Sequence, residues 1–478
     1  MLKIHTIPIK RGGFKIEQPL DTDNLTPLYI HPIIQELSRI FADAGKKLYL
    51  VGGTVRDALL GRFHEDLDFA TDAKPDETIQ IVKPWADNLW LVGIKFGTVG
   101  LSKGHLKIEI TTLRSEVYVD KTRRPRVAFD TDIYFDLSRR DFTVNAMAVE
   151  LPQGRLIDPF NGQADLTNRI LRTPVTPEQS FIDDPLRMMR AIRFVSTMGM
   201  HLSPEVEEAI SVYRGELARV SSERIRDEFS KMLTGAEPAK SLRLLVHTGL
   251  SDLFVPELMN LKITQDPEYH HKDVFEHTLT VVERVEPDLV LRLAALFHDI
   301  GKPETKEIIE GKVTFYNHDS IGASITRRRL RTLKYPKAII EDVTKLIYLH
   351  MRVYTYRMGW TDKAVRKYIR DAGTLRDKLN ALIRADCTTK NPRKMRQSLQ
   401  VFDELEERII RLEEAEEAAK IRPPINGHEV MEYLGIGPGP LVGEALHLLL
   451  DAKLEGEIET KEDAYALLDK WAKEKGLR

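Results

Sequence analysis

LYLVGGTVRDALLGRFHEDLDFAT, residues 48–71, places an apolar run, two glycines and two closely spaced aspartates in one short segment. The run LYLV predicts a β-strand. A strand that ends on Gly52 and Gly53 lets the backbone approach a ligand closely, because glycine has no Cβ. TVRDALLG then predicts a short helix that begins at Thr54 and ends at Gly61. The segment therefore predicts a strand, a tight turn and a helix in direct succession.

The last part of this segment, DLDFAT, alternates polar and apolar residues. The alternation predicts a second strand with Asp66 and Asp68 on the same face. Two carboxylates at that spacing can share a hard cation such as Mg²⁺, which takes oxygen ligands and leaves positions for phosphate oxygens. Taken alone, the pattern fits a tight turn with two solvated aspartates equally well, so the rest of the chain has to decide between the two interpretations.

The composition of the chain sets broad limits. With 478 residues it is long enough for several domains with their own cores. The 71 basic and 73 acidic residues give a net charge of −2, so a nucleic-acid partner would need a local basic patch. The single Cys387 excludes an intramolecular disulfide, and the stretch MLKIHTIPIKRGGF lacks the apolar core of a secretion signal. No long apolar run predicts a membrane span. These features predict a cytoplasmic protein.

The distribution of patterns predicts an α+β domain followed by helical domains. In the first part the strand candidates are LYLVGG, DLDFAT, FGTVGLS, KIEITTLR and VNAMAVEL. From about residue 180 onward helical periodicity dominates, and only VTFYN favours a strand. The predicted divisions are an N-terminal extension (1–30), an α+β head (31–175), a helical neck (176–240), a helical body (241–400) and a small helical C-terminal module (401–478).

Five motifs follow one another in order and are far more specific together than the two aspartates alone. They are VGGTVRDALLG with DLDFAT, then RRDFTVNAMA, LIDPFNGQADL, DDPLRMMRAIRF and SSERIRDEF. In this order they resemble the class II tRNA nucleotidyltransferases, a family of the polymerase β superfamily that includes the bacterial poly(A) polymerases. The chain departs from the family pattern at Asp183, where glutamate is usual, and at Asn161, where glycine is common. The resemblance implies a polymerase β-like head with a mixed sheet.

The residue types in these motifs suit transfer of a nucleotide to a 3′-hydroxyl. The reaction needs a hydroxyl of lowered pKa and a neutralised pyrophosphate, and two metal ions can supply both. We expect Asp66 and Asp68 to bind Mg²⁺, with Glu109 of KIEIT as a weaker third carboxylate. The triphosphate would be held by the N–H of Gly53 and by arginines, which suit bidentate phosphate contacts. The other predicted nucleotide-binding residues are Arg56, Arg140, Asp141, Asn145, Asp184, Arg187, Arg190 and Arg193.

The motif DDPLRMMRAIRF predicts a stripe of Asp184, Arg187, Arg190 and Arg193 along one helix. Taken alone, such a stripe fits the salt-bridged face of an amphipathic helix. The resemblance implies that these residues choose CTP and ATP without a nucleic-acid template. Cytosine and adenine both present an amine donor beside a ring-nitrogen acceptor, so Asp184 can accept from the amine while Arg187 donates to the ring nitrogen. Arg190 and Arg193 would serve the phosphates or brace this pair.

A charged segment between two motifs bears on which member of the family this is. VYVDKTRRPRVAFDTDIYFDLS contains Lys121, Arg123, Arg124 and Arg126. The resemblance implies that CCA-adding enzymes have a flexible loop here and that enzymes adding only CC lack it, so its presence favours CCA addition. A-adding enzymes and poly(A) polymerases also carry a loop, and an ordinary basic surface loop fits the same residues.

The helical half contains a second set of metal-ligand residues. EYHHKDVFEHTL, ALFHDIGKPETK, FYNHDSIG, LIYLHMR and LIRADCTT resemble, in order, the HD domain of metal-dependent phosphohydrolases. Imidazole and carboxylate ligands suit transition metals such as Mn, Fe, Ni or Zn, which can activate water against a phosphate ester. An HD fold kept only as a scaffold for tRNA is the alternative. The predicted ligands are His277, His298, Asp299, His318, His350 and Asp386.

Two further stretches are candidates for contact with RNA. ITRRRLRTLKYPK clusters basic residues, among them Arg327, Arg328 and Arg331, which predicts a phosphate-facing surface, although a solvated helix fits too. The glycines of YLGIGPGPLVGEAL predict either a phosphate site at a helix N-terminus or a simple turn. The whole chain thus predicts an enzyme that adds CCA to the 3′ end of tRNA from CTP and ATP. The alternatives are a poly(A) polymerase or A-adding enzyme, an HD phosphohydrolase with a vestigial head, and a non-catalytic tRNA-binding protein.

Overall fold

The computed structural model of the protein describes residues 22–91, 94, 97–117, 126–129, 132–262, 273–310, 312–388, 392–420, 422–454 and 456–477. The chain divides into two compact units, one up to Tyr348 and one from Leu349 onward. Within the described ranges no helix is both long and apolar enough to cross a membrane. The predicted order, an α+β head followed by helices, is confirmed.

A seven-stranded mixed sheet forms the centre of the first unit, with the strand order β3-β4-β5-β2-β1-β8-β9. The strands described are β1 Leu48–Val51, β2 Asp66–Thr71, β3 Asn88–Trp90, β4 Thr98–Lys103, β5 Leu106–Thr112, β6 Arg114–Val117, β7 Arg126–Phe129, β8 Ala148–Leu151, β9 Arg155–Ile157, β10 Ile170–Leu171, β11 His201–Leu202, β12 Glu307–Ile309 and β13 Lys312–Thr314. Of the pairs in the large sheet, β2 and β5 run parallel and the others antiparallel. The three remaining pairs, β6-β7, β10-β11 and β12-β13, form separate two-stranded sheets.

Helices account for most of the rest of the described chain. In the first unit they are α1 Thr26–Tyr29, α2 Pro32–Asp43, α3 Gly53–Leu59, α4 Pro75–Val82, α5 Ile133–Ser138, α6 Gly162–Asn168, α7 Pro177–Asp183, α8 Leu186–Met198, α9 Pro204–Tyr213, α10 Ser222–Leu233, α11 Pro238–His247, α12 Glu257–Asn260, α13 Val274–Arg284, α14 Leu289–Phe297, α15 Lys302–Thr305, α16 His318–Thr332 and α17 Lys337–Leu349. In the second unit they are α18 Asp362–Ala372, α19 Arg376–Asp386, α20 Pro392–Lys420, α21 Gly427–Leu434, α22 Pro440–Leu454 and α23 Lys461–Glu474.

The two faces of the sheet are covered differently, and this difference positions the site. Helices α2 and α4 pack on one face, where Leu50, Phe69 and Ile110 are buried. Helix α5 covers part of the other face through Ile133 and Leu137. The part of that second face near the start of β2 stays open. Polar side chains of β2 and β5 therefore reach solvent there.

Helix α3 and strand β8 begin at residues other than those that the sequence predicts. Helix α3 begins at Gly53 rather than Thr54, and Gly52 precedes it with φ +68°, a conformation that strains residues with a Cβ. The hydroxyl of Thr54 instead accepts a hydrogen bond from the backbone N–H of Asp68 at 2.9 Å. Thr54 thus ties the start of the helix to β2. The predicted strand VNAMAVEL begins only at Ala148, because a 3₁₀ turn, Thr143–Asn145, precedes it.

Asp184 does not lie on the same helix as the three arginines, which corrects the predicted stripe. It follows α7 with an extended backbone, φ −138° and ψ 96°, and α8 begins only at Leu186. The cause is Pro185, because proline disfavours helical backbone in the residue before it. Asn161, one of the departures from the family pattern, has φ 59°. Asparagine tolerates that left-handed conformation better than most residues, which explains how it can replace glycine.

Candidate active site

Three carboxylates meet on the open face of the sheet. The parallel pairing of β2 with β5 puts Asp68 directly opposite Glu109, and Asp66 lies two residues earlier on the same face. All three residues are exposed, while the intervening Leu67 and Ile108 are buried. The predicted alternation is therefore observed. The register of β2 and β5 places the carboxylate of Glu109 next to that of Asp68.

The charge of this cluster is only partly balanced. The pKa of Asp68 is raised, first because the surrounding protein displaces water from its carboxylate. The charges of Glu109 and Asp66 raise it further, and Arg140 and Arg56 oppose them. Hard oxygen ligands that repel one another in this way suit a divalent cation, whose charge removes the repulsion.

The two glycines bring backbone close to the charged groups. A Cβ on Gly52 would lie 2.7 Å from Nη1 of Arg140 and 3.8 Å from Oδ2 of Asp68. A Cβ on Gly53 would lie 3.5 Å from Nη2 of Arg56. The glycine turn therefore passes between two arginines and a carboxylate, where larger residues would displace the Arg140 side chain. The N–H groups at the start of α3 lie in the same region, as expected for a phosphate-binding turn.

A chain of hydrogen bonds links Arg56 to the neck helix α8. Nη1 of Arg56 donates to Oδ1 of Asn145 at 2.7 Å, while its other nitrogens bind Asp57 at 2.8 and 2.9 Å. Nδ2 of Asn145 donates to Oδ1 of Asp141 at 2.9 Å. Oδ2 of Asp141 accepts from Nε of Arg190 at 2.9 Å. Asn145 thus fixes the Arg56 guanidinium from behind and joins the glycine turn to the arginine helix.

The two arginines that begin the motif RRDFTVNAMA, Arg139 and Arg140, are held by a buried carboxylate that the sequence did not single out. Asp136 on α5 receives Nη2 of Arg140 at 3.0 Å and Nε of Arg139 at 3.0 Å. Burial raises the pKa of Asp136, but the two guanidinium groups outweigh it and hold the pKa below its ordinary value. Asp136 therefore stays ionised and fixes both arginines. The sequence does contain a signal for this contact, because Asp136 lies three residues before Arg139 and four before Arg140, the spacing of ion pairs on a helix.

Two cavities adjoin each other at Arg140. One, of about 280 Å³, contains Asp68; its lining residues are Val51, Asp68, Phe69, Thr98, Thr111, Arg139 and Arg140. The other, of about 260 Å³, contains the predicted base-recognition residues; its lining residues are Arg140, Asp141, Asp184, Arg187, Arg190 and Arg224. Because Arg140 lines both, a molecule with a polar base at one end and phosphates at the other could occupy the two cavities together.

The predicted base-recognition pair, Asp184 and Arg187, is held in place by its neighbours. Nη1 of Arg187 donates to Oγ of Ser180 at 2.9 Å, and Nη2 donates to the carbonyl oxygen of Arg139. Oδ2 of Asp184 lies 3.4 Å from Nη2 of Arg224. Arg224 belongs to SSERIRDEF and was not predicted as a site residue, although that motif was recognised. The pair Asp184–Arg187 is therefore oriented from both sides.

Arg193 does not belong to the residues that line these two cavities. Its Nε lies 2.7 Å from Oε2 of Glu228 on α10, and its guanidinium stacks 4.4 Å from the centre of the Phe194 ring. The sequence predicts that Arg193 either contacts the phosphates or braces the Asp184–Arg187 pair. Its contacts with Glu228 and Phe194 favour the bracing role. Glu228 lies in SSERIRDEF, so this motif anchors α10 to the helix that carries Arg187 and Arg190.

Four of the six predicted HD ligands lie together in the first unit. Nε2 of His298 is 3.2 Å from Nε2 of His277 and 3.2 Å from Oδ2 of Asp299. Nε2 of His318 is 3.5 Å from Oδ1 of Asp299. All four are buried. His350 and Asp386, the other two predicted ligands, belong to the second unit, where Asp386 accepts a hydrogen bond from the Tyr354 hydroxyl at 2.7 Å.

The orientation of two imidazoles in this group is set by backbone carbonyls. Nδ1 of His298 lies 2.8 Å from the carbonyl oxygen of Ala295, and Nδ1 of His318 lies 2.8 Å from that of Phe315. A proton held on Nδ1 leaves the lone pair of Nε2 pointing at the group. This arrangement is typical of histidines that bind metal ions.

The predicted RNA-binding residues on α16 are exposed, with one neighbour turned inward. Arg327, Arg328 and Arg331 lie on the surface of the helix. Arg329 instead forms a half-buried ion pair with Glu257 at 2.7 Å. Lys121, Arg123 and Arg124 of the predicted loop lie outside the described residues, and the side chain of Arg126 does as well.

Comparison with known protein families divides the chain in the same order as its motifs. Residues 48–172 match the poly(A) polymerase head domain. Residues 199–262 match the family described as "Probable RNA and SrmB- binding site of polymerase A". Residues 269–385 match the HD domain. The expected α+β nucleotidyltransferase head followed by a helical HD-containing part is thereby confirmed.

Relatives of similar length decide the family. The chain is 34% identical over 439 residues to the A-adding tRNA nucleotidyltransferase of Deinococcus radiodurans, covering 89% of this chain and 95% of the relative. The chain belongs to the class II tRNA nucleotidyltransferase family. This nucleotidyltransferase is also 32% identical over 439 residues to the CC-adding enzyme of Thermus thermophilus, covering 89% and 94%. The structure of the Bacillus stearothermophilus CCA-adding enzyme in complex with CTP matches with a TM-score of 0.58, 28% identity, and 95% and 99% coverage.

In this nucleotidyltransferase the ion pair between the buried Asp141 and the partly exposed Arg190 gives a prediction for stability. Asp141→Asn is expected to lower the free energy of unfolding by roughly 2 kcal/mol at neutral pH, because the hydrogen bonds from Arg190 and Asn145 lose their charged acceptor. Burial raises the pKa of Asp141, but Arg190 and the hydrogen bond from Asn145 outweigh it, so the folded-state pKa is lowered. The stabilisation is therefore complete above the ordinary pKa of about 4 and is lost as the pH falls through the lowered value.

Urea unfolding of the wild type and of Asp141→Asn at several pH values measures this effect. The difference in free energy between the two should shrink below about pH 4. Asp43→Asn, at the exposed end of α2, is the matched control and should change stability little. A difference for Asp141→Asn that stays constant with pH would show that the ion pair is not its cause.

Proposed function

We propose that this nucleotidyltransferase adds CCA to the 3′ end of tRNA, using CTP and ATP. The observation that carries the proposal is the cavity pair joined by Arg140, with Asp68 on one side and Asp184 and Arg187 on the other. One side suits the reacting phosphates, and the other suits a base with an amine donor beside a ring-nitrogen acceptor. The solved relative with CTP and the A-adding and CC-adding relatives support the choice of these two nucleotides.

In the proposed reaction the 3′-hydroxyl oxygen of the RNA forms a bond to the α-phosphorus of the nucleotide. The bond between that phosphorus and the pyrophosphate oxygen breaks, and the hydroxyl proton leaves to solvent. Asp66, Asp68 and Glu109 fit Mg²⁺, because they form a cluster of oxygen ligands whose charge is only partly compensated. When bound there, Mg²⁺ would lower the pKa of the hydroxyl and balance charge on the phosphates.

The other residues of the head bind and orient the nucleotide. The N–H of Gly53 and the guanidinium groups of Arg56 and Arg140 would hold the triphosphate. Asn145 fixes Arg56 and Asp136 fixes Arg140, so neither arginine has to be ordered when the nucleotide binds. Such preorganisation keeps the α-phosphorus in line with the attacking oxygen.

The base would lie against Asp184 and Arg187. The carboxylate of Asp184 accepts from the amine of cytosine or adenine, and Arg187 donates to the ring nitrogen. Uracil and guanine present a carbonyl and an N–H at these positions, so both protein groups would be left unsatisfied. A site built on such hydrogen bonds can reject the wrong base by about 10⁴-fold.

Extension of defined tRNA substrates tests the proposal. Purified protein is incubated with tRNA that ends before CCA, after C or after CC, with each nucleotide alone and with CTP and ATP together. Sequencing of the 3′ ends should show CCA on all three substrates. Addition of A only to the substrate that ends in CC would identify an A-adding enzyme, and long A tails on RNA would identify a poly(A) polymerase.

We propose a second activity for the HD cluster, the metal-dependent hydrolysis of cyclic or terminal phosphates. The convergence of three imidazoles on Asp299 favours it, and so does the orientation of His298 and His318 by backbone carbonyls. This donor set fits Mn, Fe, Ni or Zn, which would supply an activated water. Removal of a phosphate from an RNA end would leave the free 3′-hydroxyl that nucleotide addition requires.

Asp299→Asn is expected to remove a bound transition metal and any hydrolysis of 2′,3′-cyclic phosphate ends, while nucleotide addition is preserved. The reason is that addition depends on the carboxylates of the head alone. Elemental analysis and both assays on the wild type and the variant measure this, with the exposed His247→Ala as the control. A wild type prepared without chelators that contains no transition metal would assign the HD cluster a structural role.

A further inference from the structure

Helix α18 of the second unit carries a basic stripe, defined here as Lys363, Arg366, Lys367 and Arg370. These positions are spaced by three, four and seven residues, so they lie on one face of the helix. All four side chains are exposed. Over seven residues the stripe is about 10 Å long at the helical rise of about 1.5 Å per residue.

The opposite face of α18 is the one that packs. Val365, Tyr368 and Ala372 on that face are buried. The helix is therefore held by apolar contacts, and the basic stripe is not needed to fix it in place. Thr361 caps the N-terminus by accepting a hydrogen bond from the N–H of Ala364. The basic face of α18 does not pack against these apolar residues and is therefore available to bind a partner.

The two acidic residues of α18 form their ion pairs with residues outside the stripe, although the charges of Lys367 and Arg370 also help to lower the pKa of Asp371. Asp362 forms an ion pair with Arg408 at 2.5 Å. Asp371 forms an ion pair with Arg352. In the described part of the chain, no carboxylate lies within ion-pair distance of Lys363, Lys367 or Arg370. The charges of these three residues therefore face solvent.

An open groove of about 520 Å³ runs along the stripe. Its lining residues are Thr361, Lys363, Ala364, Arg366, Lys367 and Arg370. The stems of lysine and arginine side chains form its walls, and their charged ends can turn toward a ligand. Such a groove fits an extended polyanion better than a compact one. In the basic cluster of α16, by contrast, Arg329 is already paired with Glu257.

We propose that the basic stripe of α18 binds the phosphodiester backbone of tRNA. The inference rests on the proposed function, in which tRNA is the substrate. The whole chain carries a net charge of −2, so a polyanion needs a local positive surface to bind. A length of about 10 Å lets the stripe reach about two neighbouring phosphates of one strand. The stripe gives affinity without reading sequence, which suits an enzyme that must accept many tRNAs.

Salt-dependent binding of tRNA without its CCA end tests the stripe. Lys363→Gln/Lys367→Gln should reduce the slope of log Kd against log salt by about 1.5, since each phosphate contact contributes about 0.7–0.9. The KM for tRNA should rise about tenfold, while the KM for CTP and kcat at saturating tRNA stay unchanged. Lys470→Gln/Lys473→Gln, two exposed lysines of α23, is the matched control and should behave as wild type. Charge reversal in Lys367→Glu/Arg370→Glu should weaken binding further.

The outcomes separate this surface from the proposed function. If the wild type binds and extends tRNA but the stripe variants match it in slope and KM, the stripe is not the tRNA surface. Equal losses in the stripe and control variants would show a diffuse electrostatic effect and would also overturn the proposal. A wild type that neither binds nor extends tRNA would overturn the proposed function together with the stripe.

Discussion

Asp68→Asn is expected to lower kcat for nucleotide addition by about 10³-fold or more, which corresponds to about 4 kcal/mol of transition-state stabilisation. The substitution keeps the size of the side chain and removes the carboxylate at the centre of the cluster with Asp66 and Glu109. The surrounding protein displaces water from the carboxylate of Asp68 and, together with the charges of these two neighbours, raises its pKa. A divalent cation bound there would lose a principal ligand.

The measurement compares single-turnover addition of CTP with tRNA affinity in the same variant. Binding of tRNA should be unchanged, because the variant leaves all basic surfaces intact. Glu65→Gln removes the same charge from the exposed residue just before β2 and is the matched control, expected to retain wild-type kcat. Asp66→Asn should resemble Asp68→Asn. Normal turnover in the Asp68 variant would remove this cluster from the reaction.

Asp184→Ala is expected to reduce discrimination between CTP and UTP by at least about 10²-fold, because the acceptor for the cytosine amine is lost. The same loss should appear between ATP and GTP. Asp184→Asn makes a sharper test, since its amide can donate to the carbonyl of uracil and should raise UTP use above that of the alanine variant. Arg187→Ala should lower the use of CTP and ATP, because the donor to the ring nitrogen is lost.

The control for base choice lies one residue away. Asp183 has the same side chain, but its Oδ1 accepts from Nε2 of Gln179 at 2.6 Å and the residue does not line the cavity. Asp183→Ala should therefore keep wild-type selectivity among the four nucleotides. The quantity to compare is kcat/KM for each nucleotide on one tRNA substrate. Unchanged selectivity in Asp184→Ala would mean that another part of the protein chooses the base.

The sequence was most informative where a local pattern carries the chemistry. The alternation in DLDFAT places Asp66 and Asp68 on one face whatever the strand pairs with, because the side-chain period of a strand is two. Pro185 shows the limit of such reasoning. The spacing of Asp184 and the arginines predicted one helix, but proline ends the helical conformation before it. Leu186 and Met189, which lie between these charged residues in the sequence, are buried in the core.

Contacts between distant segments could not be predicted in the same way. Asn145 bridges Arg56 and Asp141, and the first of these contacts spans 89 residues. The motifs identified all three residues as important but not which of them touch. Arg224 and its contact with Asp184 were missed, although the surrounding motif was recognised. The roles of the predicted site residues in binding nucleotide and metal stay predictions that the variants above test.

The sequence by itself determined the family, the order of the domains and the local shape of the glycine turn, because each depends on residues close together in the chain. The tertiary structure decided which carboxylate joins Asp68, which carboxylates hold the arginines, and which basic residues face solvent. Glu109 reaches Asp68 only through the parallel register of β2 and β5. Arg329 is withdrawn from solvent only because Glu257 packs beside it. Such pairings depend on how buried faces pack against one another, and local periodicity does not encode that information.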